Sequence, residues 1–314
     1  MKVIWALLGL TLLIFSAFWY KNRLYSFNFA DENENILAGR LMHQNEIIYK
    51  DFFVQHQPFP YFASNLLQKV FQPKTLRITI KLYRTIIFLW LTAGAVFMWL
   101  YRPRLAVLFL LIWEIVRFSF FGSLFLAETL VVYPLLFLWL ALEKAIDNHK
   151  LKPLNWGIDF FFWILAALTL QAAWPWLLVW LVIILQRQKK QIFKLNYLLI
   201  SGLILLLWIP LFIKIPIFSW WKVTILTNVR DYMPNIAGFK FETSFLNPIL
   251  FFVKLLLGPL KTKFGLFEKT LGWLFLTTSI WLAKKNKQGK IKALLQFIMV
   301  LLLLIRPLPV DVIF

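Results

Sequence analysis

Apolar runs of about 17–20 residues recur along this chain, and no other feature restricts its fold so tightly. A hydrocarbon layer of ~30 Å is crossed by about 20 helical residues, and within it every backbone N–H and C=O must be satisfied inside its own helix. Nine such runs lie near residues 3–20, 85–101, 105–121, 124–142, 157–172, 174–186, 195–213, 266–283 and 291–308. They predict an all-α polytopic membrane protein of about nine transmembrane helices, with 1–314 forming a single transmembrane domain. Composition agrees. Hydrophobic residues make up 61% of the chain and charged residues only 15%, too few to cover a water-facing surface. The sixth run is short, and the turn around Trp174–Pro175 reads as a tight hairpin. No small-residue cleavage site precedes Trp19, Tyr20 and Lys21, so the first run is expected to be a retained anchor.

Lysine and arginine in short loops orient the spans. Arg102 and Arg104, then Lys144, Lys150 and Lys152, then Arg187, Lys189, Lys190 and Lys194, and finally Lys284, Lys285, Lys287, Lys290 and Lys292 mark cytoplasmic connections. The N-terminus is then inside, and the loops 21–84 and 214–265 are outside. The apolar segment 245–260 carries Pro248, Lys254, Gly258 and Pro259, and is read as re-entrant or interfacial. The formal net charge of +20 is spread over these membrane-proximal loops, which points to anionic lipid head groups and away from nucleic acid. Zero cysteine excludes disulfides, thiolate catalysis and cysteine metal sites together. With no Asn-x-Ser/Thr acceptor, a bacterial plasma membrane is the expected location.

Against this background the stretch from Asp31 to Pro60 stands apart as rich in acids, amides and histidine. Ile36, Leu37, Leu41 and Met42 share one helical face, predicting a short amphipathic helix on the membrane. Gln44–Asn45 ends it, and Pro58 and Pro60 predict an extended segment before a second interfacial helix over 61–71. Two roles are open to the Asp31–Glu32 pair: capping the exposed amides of the next helix, or, for Asp31, taking a proton as a general base. Glu32 reads as a cap or an orienting partner. Lys50 and Asp51 are either a solvated pair or part of a site. His56 reads more readily as a hydrogen-bonded loop histidine than as a metal ligand.

Taken in order, Asp31–Glu32 after a span, Ala38–Gly39, the Tyr-Lys-Asp-Phe-Phe run from Tyr49 to Phe53, and His56 two residues before Pro58 resemble the first outer loop of GT-C glycosyltransferases. The likeness is to bacterial relatives of protein O-mannosyltransferases and lipid A aminoarabinose transferases, and its motif covers about thirty residues. It implies a GT-C-like layout, with short interfacial helices in the outer first loop. It also implies an inverting transfer of a sugar from a polyprenyl-phosphate carrier to an acceptor hydroxyl on the outer face, the acceptor being a protein, glycan or lipid. By resemblance Asp31 takes the place of the catalytic aspartate, with Glu32, Asp51 and Glu128 as supporting or orienting acids. Some relatives carry a lysine just before the first proline, where this chain has Gln57. The leaving phosphate needs positive charge. Lys50, His56, Arg230 and Arg306 are the candidate phosphate or substrate contacts, Arg306 resembling a C-terminal arginine of the family. No cofactor is expected: some oligosaccharyltransferase relatives hold a divalent ion at the phosphate, but no metal ligand is predicted here.

Glu114 and Arg117, three residues apart in one run, are expected to pair within the bundle. Glu128 either lines the cavity or reaches interfacial water. Trp90, Trp99, Trp174, Trp176, Trp220 and Trp221 read as interfacial belts. Intramembrane charge also suits a lipid or solute transporter, and the shortness of the chain suits a non-catalytic relative that binds the carrier. Relatives usually have more spans or an outer C-terminal domain, so this sequence reads as a minimal enzyme or a fragment.

Overall fold

The computed structural model describes residues 2–25, 30–54, 56–103, 106–107, 110, 124–147, 149–232, 266–285 and 287–304. Among these the chain is all-helical, with one isolated bridge between Ile48 and Phe52. The helices are α1 Lys2–Arg23, α2 Ala30–His43, α3 Pro58–Phe71, α4 Leu76–Tyr101, α5 Ala127–Ile146, α6 Pro153–Thr169, α7 Trp174–Ile192, α8 Leu195–Lys214, α9 Ile217–Trp221, α10 Leu266–Lys285 and α11 Lys287–Leu304. A π-helical stretch, Lys222–Tyr232, continues α9. Among the described residues, three helices are long and apolar enough to cross a membrane: Leu76–Leu100, Ala127–Ile146 and Leu195–Lys214. Shorter apolar helices cover Leu7–Phe18 and Pro153–Thr169. Most of the predicted span 105–121, with Glu114 and Arg117, lies outside the described residues, as do the segment 245–260 and Arg306.

Two compact units divide the chain. The first comprises Met1–Leu136 and Leu211–Pro216. Its core follows one stripe of α4, where Tyr83, Ile87, Leu91, Ala95 and Met98 are buried at helical spacing. Tyr20 of α1 stacks on Phe88, and Trp90 donates its indole N–H to the Leu130 carbonyl at the start of α5. At Gly94 a Cβ would sit 2.4 Å from the Tyr133 ring, so α4 has no room there for any other residue. Hydropathy places the start of this span near residue 85, but the helix begins at Leu76. Thr75 caps it by accepting from the Ile78 amide, and the charged turns that hide this extension from a hydropathy reading are those holding Lys81 and Arg84.

Pro58 and Pro60 do not form an extended lead-in. They occupy the first turn of α3, where a missing N–H costs nothing and the fixed φ suits the helix. Gln72 closes α3 in a left-handed conformation, with its amide bonded to the Gln68 carbonyl. The end of α2 falls as expected, with Asn45 at φ 71°.

Unit two comprises Phe137–Pro210 and Ile217–Phe314. Aromatic packing holds its first helices together. Trp156 stacks with Phe160 and Trp180, Phe137 stacks on Phe162, and the indoles of Trp163 and Trp180 donate to the carbonyls of Leu177 and Leu138. Trp176 is wholly buried beside Trp139, which places it in a core and not in an outward belt; Trp221 is exposed. Three lysine-rich turns meet within this unit. The Gln188 amide donates to the His149 carbonyl, the Tyr197 hydroxyl to the Leu151 carbonyl, and Lys292 pairs with Asp147 at 2.7 Å.

Candidate functional site

The polar loop of unit one is organised around α2. Its buried side carries Glu32, Asn35, Ile36, Ala38 and Gly39, while Leu37 is 57% exposed. The apolar face expected from the sequence is thus not the face that packs. Polar bonds replace it. Glu32 is 0% exposed and meets Arg84 of α4 in a two-pronged ion pair, with Nη2 to Oε2 at 2.6 Å and Nε 3.2 Å from both carboxylate oxygens. The same carboxylate accepts from the Phe125 amide at 3.1 Å, and Asn35 donates to the Phe125 carbonyl at 2.9 Å. Arg84 also donates to the Leu24 carbonyl. A charge pair this buried persists only because its remaining donors and acceptors are satisfied.

The helices α2 and α3 touch at Gly39. A Cβ there would lie 2.0 Å from Ser64 Oγ and 2.8 Å from the Ser64 carbonyl carbon. That closeness lets Ser64 donate to the Asn35 carbonyl at 2.6 Å and Gln68 to the Ile36 carbonyl at 2.8 Å. The Tyr83 hydroxyl completes the network, accepting from Gln68 at 2.9 Å and donating to the Ser64 carbonyl at 3.0 Å.

On the outer turn of α2, Asp31 and Glu34 lie three residues apart and so on one face. Residues 46–54 and 56–57 fold back over them. Asp51 accepts from the Ile47 amide at 2.7 Å, closing the turn in which Tyr49 takes φ 65°. Tyr49 donates to the His56 carbonyl at 2.8 Å. Tyr61 donates to Glu34 Oε1 at 2.6 Å and accepts from the His56 amide at 3.2 Å. His56 Nε2 then stands 3.8 Å from Asp31 Oδ2, with both side chains about one-third exposed at 35%. Burial first, and then the Glu34 charge, push both phenols well above the ordinary tyrosine value of 10.0, so they remain neutral donors.

The candidate residues therefore separate. Asp31 and His56 come together, and Glu34, Tyr49 and Tyr61 join them without having been singled out from the sequence. Glu32 is drawn inward, and Asp51 serves its own turn. Lys50 is exposed, and Glu128 is exposed in the first turn of α5. Gln57 is buried, and neither of its amide atoms has a hydrogen-bond partner among the described residues. Arg230 lies in the π-helical stretch of unit two. The pattern Asp31-x-x-Glu34, one helical turn, was a signal available for Glu34; nothing in sequence spacing pairs Glu32 with Arg84, 52 residues away.

As an arrangement this defines a small acid and histidine site at the head of a surface helix, backed by a buried ion pair. No family model, curated protein or solved structure matches the chain.

Proposed function

We propose that the chain is an integral-membrane inverting glycosyltransferase of GT-C type, transferring a sugar from a polyprenyl-phosphate carrier to an acceptor hydroxyl at the outer face of a bacterial plasma membrane. The observation that carries this reading is the contrast between the two neighbouring acids. Glu32 is consumed by Arg84 inside the fold, while Asp31 is partly exposed beside His56. Only the second is presented to a substrate. In that position Asp31 takes the acceptor proton as the hydroxyl attacks the anomeric carbon, and the sugar–phosphate bond breaks on the opposite side. Lys50, exposed in the same loop, is the cation proposed to meet the leaving phosphate.

The test is release of polyprenyl phosphate from a labelled lipid-linked sugar. Asp31→Asn should insert and melt like the native chain yet lose about 10²–10⁴-fold in rate. Normal turnover by that variant removes the base assignment.

One observation favours a second reading, a transporter. Asp159 is buried in α6, one of the shorter apolar helices, and an acid in such a helix commonly marks an ion or proton path. Substrate movement into vesicles without bond cleavage, abolished in Asp159→Asn, would select that reading over glycosyl transfer.

A further inference from the structure

We propose that Asp31, Glu34 and His56 form a binding site for one divalent transition-metal cation, with coordination positions left open to water or a phosphate oxygen. One oxygen from each carboxylate and one imidazole nitrogen lie within 4.8 Å of one another. Tetrahedral ligands at the usual 2.0–2.2 Å from such an ion stand about 3.3–3.6 Å apart, so side-chain movements of up to about 1.2 Å close the set. Asp31 and Glu34 project from consecutive positions of one helix face, and His56 is brought to them by the returning loop.

The imidazole supplies the second argument. The His56 Nε2 atom is shut off from solvent and has no hydrogen-bond partner among the described residues. Its 3.8 Å separation from Asp31 Oδ2 is too long for a hydrogen bond and suits two atoms sharing an ion. The ligands are also oriented from behind. A single Tyr61 hydroxyl bonds Glu34 Oε1 and the His56 amide, and Tyr49 holds the His56 carbonyl. Such outer partners fix the angle of first-sphere ligands and typically carry 10–100-fold of affinity.

Ligand chemistry narrows the ion. Two carboxylates with one imidazole and no thiolate suit Zn²⁺ or Mn²⁺, while Mg²⁺ keeps to oxygen and water. Three protein ligands leave at least one position open. Under the glycosyl-transfer reading, on which this last point rests, that position faces the donor phosphate and provides the positive charge that Gln57 does not.

The experiment uses the purified full chain in detergent, stripped with chelator and titrated with Zn²⁺, with Mg²⁺ as the comparison and Co²⁺ as a spectroscopic probe. One equivalent of Zn²⁺ should bind, with affinity falling more than about 100-fold in Glu34→Gln and His56→Gln and about 10–100-fold in Tyr61→Phe. Glu46→Gln, on the exposed side of the same loop, serves as the control. X-ray absorption of the cobalt form of the native chain should show one imidazole nitrogen among oxygen ligands, a readout that stands even if a variant fails to fold. Absence of stoichiometric binding, an ion with no imidazole ligand, or equal affinity in the ligand variants overturns the site. Metal bound without any release of polyprenyl phosphate leaves the site standing and removes the transfer reading; transfer at full rate in chelator keeps the transfer reading and removes the ion's role at the donor phosphate.

Discussion

Asp31 and Glu32 are adjacent in sequence and opposite in fate, and the difference can be measured. Glu32 and Arg84 are both almost wholly buried, so removing one leaves the other charged and unpaired. Glu32→Gln or Arg84→Met should lower stability by about 3–5 kcal/mol, read as a fall in melting temperature, whereas Asp31→Asn should leave melting nearly unchanged. Equal melting of all three variants would show that the ion pair contributes little. The tyrosines add a pH signature. Tyr49 and Tyr61 hold their protons more tightly in the folded chain than the ordinary 10.0. The unfolded chain therefore loses protons first as pH rises, so the stability these phenols contribute is intact below about pH 10 and declines above it. Thermal melts from neutral to alkaline pH should fall beyond that point, and Tyr61→Phe should show a shallower fall. Glu32 was visible in the sequence as an orienting acid, but its partner was not, because an arginine within an apolar run reads locally as a flank of a span.

At the scale of elements, two glycines set how closely helices approach. Gly39→Ala would drive a methyl group into Ser64, and Gly94→Ala into the face of Tyr133. Each should cost about 1–3 kcal/mol, and Gly39→Ala should also weaken function by displacing α2 and its acids. Unchanged melting in either variant would mean that the neighbouring helix shifts freely. Helix existence was largely legible: α8 at Leu195–Lys214 matches its apolar run at 195–213 almost end to end. Where the reading failed, polar groups were buried. Hydropathy clipped the beginning of α4 because Arg84 is charged, although its charge is neutralised inside the fold. It also chose the wrong side of α2, since Glu32 and Asn35 face inward on hydrogen bonds while Leu37 faces out.

For the whole molecule, the distribution of lysine and arginine in the sequence predicts loop 21–84 outside and the lysine-rich connections inside. The meeting of the turns around 147–151, 188–197 and 292 supports assigning those three connections to one side. With no native cysteine, single replacements report cleanly. Lys50→Cys should react with a membrane-impermeant maleimide in intact cells, and Lys152→Cys only after permeabilisation. Labelling in the reverse pattern would invert the topology and remove the outer-face site. The class of fold was readable because span length and composition are one-dimensional properties. The site was readable only in part, since His56 meets Asp31 through the return of a loop whose bends, at Asn45 and Tyr49, leave only a weak trace in sequence.

The Tyr61 hydroxyl touches both the head of α2 and the backbone at His56. Neither segment can therefore fray without loosening the other, and their amides should exchange with deuterium at a common rate. Removing that one oxygen should split the shared opening into two independent ones, with the 46–57 loop exchanging first.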